Sequence, residues 1–211
     1  MSEFTTKAIV FDLDGTLTNI VSPWKMVHQH YGVWERAVVY HDQFFKGEFD
    51  YDTWCRKDSS LWEDRDYNEV CDLIDSIEPT AEAIEVLQKV ASYNNNGSAQ
   101  IRMMILSSGF VSVARKTIKM AGLDEDRVKI IANDIQQING KIQGVPNVKL
   151  GSAEHGKSAH IKRFLTQNSI KPECAIAVDD RDEDRDLYKN FGAFIHIKTP
   201  SDLYQIYNYL G

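Results

Sequence analysis

The chain has 211 residues, of which 43% are hydrophobic and 26% charged, a balance that excludes a disordered, collagen-like or low-complexity protein. Its net charge of -7 and isoelectric point near 5.4 give the phosphate-attraction term the wrong sign for a nucleic-acid or anionic-membrane partner. With no apolar run near the roughly 20 residues of a membrane span and no signal-peptide core before Ala8, the expectation is a soluble, cytoplasmic protein, monomeric or homodimeric, with reduced thiols at Cys55, Cys71 and Cys174.

In chain order, the first element is an apolar run from Lys7 to Asp12. It is followed by a segment, residues 19–77, that holds all four tryptophans (Trp24, Trp34, Trp54 and Trp62) and many of the other aromatics. No strand signal interrupts it. Ser22 with Pro23 opens a helix that Gly32 closes, a second helix ends near Gly47, a third runs from Asp50 or Asp52 to about Trp62, and a fourth spans roughly Tyr67 to Ser76. The aromatics read as a small second core rather than a recognition surface.

Beyond this segment short apolar runs alternate with amphipathic helices. The runs Ile101–Leu106, Val128–Ala132, Ala175–Val178 and Ala193–Ile197 are hydrophobic on both faces, as buried parallel strands are. Helices are expected near Thr80–Tyr93, Val111–Ala121, Ser158–Gln167 and Glu183–Asn190. Asn139-Gly140 marks a hairpin, and Asn94-Asn95-Asn96-Gly97 a surface turn. The alternation predicts an α/β fold, a doubly wound parallel sheet with an inserted helical cap: residues 1–18 and 78–211 form the core and 19–77 the cap.

In such a sheet ligands bind beyond the carboxyl ends of the strands, and these ends are polar. The first carries Asp12-Leu13-Asp14-Gly15-Thr16, the second Ser107-Ser108-Gly109, and the fourth Asp179-Asp180 followed by Asp182, Glu183 and Asp184. Lys157 opens the helix before that fourth strand. Like charges about 4 Å apart repel by roughly 4 kcal/mol at an effective dielectric of 20, so the carboxylates call for a cation. Oxygen ligands without His or Cys indicate Mg²⁺ beside a substrate phosphate. Ser107 and the N–H groups of Ser108 and Gly109 suit the phosphate oxygens, with Lys157 supplying positive charge. Taken singly, Ser107 or Ser108 would be a helix cap.

Phe11-Asp12-Leu13-Asp14-Gly15-Thr16-Leu17 resembles the first motif of the haloacid dehalogenase superfamily of aspartate-nucleophile phosphotransferases. Ile105-Leu106-Ser107, Lys157 and the stretch Ala175–Asp184 resemble the three later motifs, in order. Ser107-Ser108-Gly109-Phe110 is similar to the second motif of the phosphoserine-phosphatase-like subgroup. The resemblance implies that Asp12 attacks phosphorus, that Asp14 serves as acid and then base, and that Asp12, the Asp14 carbonyl and Asp180 ligate Mg²⁺ with Asp184 behind them. It implies a small phosphorylated metabolite as substrate, and a phosphatase, with a phosphotransferase or phosphomutase as the alternative on the same nucleophile. Phosphoserine phosphatases place a Glu for the substrate amine where this chain has Val21-Ser22, and their cap arginine aligns nearer Asp58 than Arg56. Arg56 is the remaining candidate for an anionic group on the substrate.

An EF-hand reading of the acidic run fails, because its sixth and twelfth positions from Asp180 would be Arg185 and Phe191. His28 and His30 point to different helix faces and make no zinc pair. His41, His160 and His196 read as structural.

Overall fold

The computed structural model describes residues 5–95, 100–144 and 156–210. Five parallel strands form the sheet in the order β3-β2-β1-β6-β7: β1 is Ala8–Phe11, β2 Arg102–Phe110, β3 Val128–Asn133, β6 Ala175–Asp179 and β7 Ala193–His196. Strand β1 sits at the centre, with Ala8 opposite Arg102 on one side and Ala175 on the other. The chain winds outward through β2 and β3, then returns to pair β6 with the other side of β1. A crevice therefore opens beyond the carboxyl ends of β1 and β6.

Each face has its own helices, and the period of two explains why β1 is apolar throughout. Ala8 and Val10 pack with Met104, Leu106, Ala175 and Ala177 against α7, Lys157–Gln167. Ile9 and Phe11 pack with Met103, Ile105, Ile176 and Val178 in the opposite layer, which contains α5 (Ala81–Asn95), α6 (Val111–Met120) and a 3-10 helix over Pro200–Tyr209. The Thr80 hydroxyl caps α5 by accepting from the Ala83 N–H at 3.1 Å.

Between β1 and α5, in the segment expected to be the cap, the chain forms α1 (Pro23–His30), α2 (Trp34–Phe45), α3 (Tyr51–Ser60) and α4 (Tyr67–Asp75). Ser22, Asp50 and Asp66 accept N–H bonds at the starts of α1, α3 and α4, as their residue types predict. The segment's entry and exit are joined by a bridge between Thr18 and Pro79. The hairpin β4–β5, Gln136–Ile138 and Lys141–Gly144, is tied to this cap: the Ile142 N–H donates to the Arg65 carbonyl, and the Asp64 and Tyr67 N–H groups donate to the Ile142 and Gly140 carbonyls.

Three expectations change. The cap aromatics do not form one separate second core: Trp62, with Val70 and Ile74, is continuous with the apolar layer that holds Ile9 and Phe110, while Phe44, Phe45 and Trp54 contact one another; Trp24 bridges cap and core, with ring centroids 5.1 Å from Trp62 and 5.2 Å from Phe110. The segment after β6 is a 3-10 helix, Asp182–Tyr188, rather than an α-helix. Strand β2 continues through Phe110 instead of ending at Leu106, with an irregular register between Leu106 and Phe110. Of the expected turn at Asn94–Gly97, the first two residues end α5 and the rest lies outside the described residues. No helix among the described residues is long and apolar enough to cross a membrane.

Candidate active site

Asp12 follows β1, where its N–H donates to the Val178 carbonyl of β6 at 2.9 Å. This fixes the start of the turn beyond the strand end. The turn closes through the Thr16, Leu17 and Thr18 N–H groups, all donating to the Leu13 carbonyl. Gly15 has φ +79°, and a Cβ there would overlap the Asp180 carboxylate, so both backbone and space require glycine. Asp12 and Asp14 are 5% and 7% exposed, a depth at which carboxylates need partners.

Those partners divide cleanly. Asp12 Oδ1 accepts from Lys157 Nζ at 3.1 Å, and the same ammonium donates to Asp184 Oδ2 at 2.7 Å and lies 3.9 Å from Asp179 Oδ2. Asp14 Oδ2 accepts from the Ser107 hydroxyl at 2.7 Å, while Asp14 Oδ1 is buried without a hydrogen-bond partner among the described residues. Ser107 Oγ also receives the Gly109 N–H at 2.9 Å. A Cβ on Gly109 would overlap the Asp14 carboxylate. The alternative role of Ser107 or Ser108 as a helix cap is not realised: α6 has Phe110 at its N-cap and no side-chain cap bond.

Carboxylate oxygens of Asp12, Asp179 and Asp180 lie within 4.8 Å of one another. Asp180 Oδ1 accepts from the Thr16 hydroxyl at 3.4 Å, and His196 Nε2 lies 3.0 Å from the Asp180 carbonyl. Asp179 is fully buried, with Oδ1 accepting from the Arg181 N–H and Oδ2 from the Tyr188 hydroxyl. The triad contains the two expected carboxylate ligands, Asp12 and Asp180, and adds Asp179. Asp184 stands behind it, paired with Lys157, and the Asp14 carboxylate is held by Ser107, its backbone carbonyl being the atom expected to ligate. Sequence alone does not rank Asp179 against Asp180 as the metal ligand, because buried ligand and buried brace look alike in a strand-end Asp-Asp pair.

The electrostatics follow from burial and crowding. Desolvation, then repulsion from Asp12, pushes the Asp14 carboxyl up to about 8, so it holds its proton at neutral pH. Burial and the Asp12 charge raise Asp179 to about 7, and Asp12 and Asp180 are raised chiefly by burial. Burial works against the Lys157 charge, but Asp12, Asp179, Tyr188 and Asp184 around it push the ammonium well above the ordinary lysine value. The Lys157 ammonium thus faces three carboxylates, with Asp180 beside Asp12 as a fourth. Hard oxygen donors in excess of positive charge fit a divalent cation such as Mg²⁺.

Arg56 is not brought to this cluster. It lies exposed on α3, where its charge acts on Asp50, while Tyr51 and Cys55 carry the inward face; Tyr51 reaches Asn133 at the end of β3. Asp58 is buried beside His28, with Oδ2 3.5 Å from Nε2. The indole of Trp62 can only donate, so its 2.9 Å bond makes His28 Nδ1 the acceptor and places the imidazole proton on Nε2, facing Asp58. His30 pairs instead with Glu69 across the exposed face. Two further residues escaped the sequence reading. Trp24 Nε1 donates to the Ser108 carbonyl at 3.0 Å, and Asn133 Nδ2 to the same oxygen at 2.7 Å.

The family model for haloacid dehalogenase-like hydrolases matches residues 6–192, and the chain belongs to that family. Within it, the chain is similar to phosphoserine phosphatases. A curated relative, the phosphoserine phosphatase of Wolinella succinogenes, is 24% identical over 185 residues, which cover 86% of this chain and 82% of the relative. The fold matches a substrate-bound phosphoserine phosphatase complex, with TM-score 0.68 and 22% identity over 99% of this chain and 100% of the other. It also matches a phospho-aspartyl intermediate analogue of phosphoserine phosphatase, with TM-score 0.65 and 23% identity over 95% and 90%.

Proposed function

We propose that the protein hydrolyses a small phosphomonoester in two displacements at Asp12. The observation that carries this reading is the division of labour at Asp14: one oxygen is held by Ser107, the other is buried and unpartnered among the described residues, and the group keeps its proton near neutrality. In the first displacement an Asp12 carboxylate oxygen bonds to phosphorus as the bond to the leaving oxygen breaks, and Asp14 gives that oxygen its proton. In the second, Asp14 takes a proton from water, the water oxygen bonds to phosphorus, and the Asp12 acyl-phosphate bond breaks to release phosphate. Lys157 lies beside the nucleophile and offsets charge on the transferring group. The Ser107 hydroxyl and the 107–109 strap face the same space.

Asp12 and Asp180 would hold Mg²⁺, with Asp179 bracing Lys157 through their ion pair and Asp184 anchoring the lysine from its other side. The cation supplies charge neutralisation between the anionic nucleophile and the anionic phosphate. Substrate choice departs from phosphoserine. Val21 is 69% exposed and Asp58 is paired with His28, so the positions at which phosphoserine phosphatases carry their amine- and carboxylate-binding groups offer neither here.

The test is phosphate release from a panel of small phosphoesters with Mg²⁺, then with EDTA, then with Asp12→Asn. Release that requires Mg²⁺ and is lost in the Asn variant is the expected result; release surviving in that variant removes Asp12 as nucleophile. Phosphate passed to an added alcohol in preference to water would make the chain a phosphotransferase.

A further inference from the structure

The Ser108–Gly109 peptide is gripped from both ends. Its carbonyl oxygen receives two donors, the Trp24 indole N–H of the cap at 3.0 Å and the Asn133 amide of the core at 2.7 Å. This saturates both lone pairs. Its N–H, on Gly109, donates to Ser107 Oγ, whose own proton goes to Asp14 Oδ2. Every bond in this row points the same way, from the cap toward the acid. In a buried row of aligned bonds each polarises the next, by about 10–30% per bond. Trp24 is itself wedged between Trp62 of the cap and Phe110 at the end of β2, which sets its ring nitrogen against the carbonyl. Asn133 also approaches the Tyr51 hydroxyl of α3, at 3.4 Å. A second cap residue therefore bears on the same clamp.

We propose that Trp24 and Asn133 are positioning residues that lock the Ser108–Gly109 peptide, so that seating the cap aims Ser107 and holds Asp14 for proton delivery to the leaving group. This inference rests on the proposed two-step hydrolysis. It goes further in assigning to cap closure a direct effect on proton delivery by Asp14, besides any effect on enclosing the substrate. A substrate is met by a fully aligned acid only after the cap is down.

Trp24→Phe keeps a ring between Trp62 and Phe110 and deletes the N–H alone. The measurement is kcat/KM for phenyl phosphate, whose leaving oxygen needs its proton, against 2,4-dinitrophenyl phosphate, whose leaving oxygen does not, with Mg²⁺ present throughout. The expected result is a loss of about tenfold or more for phenyl phosphate and less than about threefold for the dinitrophenyl ester. A merely structural role would lower both alike. Asn133→Leu removes the other donor from a different element and is expected to show the same leaving-group selectivity, which keeps the question decidable if one variant folds poorly. Equal losses for the two esters, or none, overturn the clamp while leaving the hydrolytic reading intact. Failure of the unaltered chain to hydrolyse either ester overturns both.

Discussion

At the residue scale, the site is decided by two glycines as much as by its carboxylates. Gly15 and Gly109 leave room for Asp180 and Asp14, respectively. Gly109→Ala is expected to displace the Asp14 carboxylate from Ser107 and to cut kcat by about 10–100-fold, with fold intact by circular dichroism, because it removes a positioned acid rather than a core contact. A wild-type rate in that variant would show that Asp14 has freedom to shift. Arg56 behaves differently. Since it lies exposed near Asp50 and away from the carboxylates, Arg56→Ala should change KM by less than about twofold for any small phosphoester. Its residue type alone recommended it to the sequence reading, and helix phase argues otherwise: Cys55, one position earlier, faces in.

At the element scale, strands and helices were legible wherever burial imposes a period. The two-sided apolar runs became the five parallel strands, and the capping residues Ser22, Asp50 and Asp66 began the helices that they announce. The 3-10 conformation over Asp182–Tyr188 was not legible, because an acidic run with Leu187 and Tyr188 has the same composition in either helix. Nor was the continuity of cap and core, which depends on Trp24 meeting a carbonyl 84 positions away. The cap's own cohesion can be tested at Trp62, which is fully buried and bonded to His28. Trp62→Phe keeps most of the apolar contact but strands the His28 acceptor. A loss of about 1–3 kcal/mol in urea unfolding is expected, with a smaller loss in a His28→Phe background, where no acceptor remains to be stranded.

At the scale of the whole molecule, the acidic site works against folding until it is filled. Asp14 and Asp179 are raised to about 8 and about 7, and Asp12 and Asp180 are raised as well. Folded-state values above those of the unfolded chain mean that the folded protein binds more protons between the ordinary carboxylate range and those values, so stability falls as pH rises through that window. Asp50 and Asp202 are shifted downward, and their stabilisation is already complete above the ordinary carboxylate range. Lys157, raised, loses its contribution only at strongly alkaline pH. In EDTA the melting temperature should therefore decline from pH 5 to pH 8, and added Mg²⁺ should raise it more at pH 8 than at pH 5. A metal-induced gain independent of pH would place the cation elsewhere.

The hairpin bonded to the cap gives this molecule a mechanical restriction. A lid joined to its base only by its entry and exit strands could swing on that axis, but this one has a third attachment through Arg65, Asp64 and Tyr67 to the β4–β5 strands. Three attachments that do not share a line convert a swing into a short rocking stroke, unless the hairpin is carried along or its backbone bonds break. Any opening of the cap therefore carries the β4–β5 hairpin with it or costs the backbone bonds of Asp64, Tyr67 and Ile142.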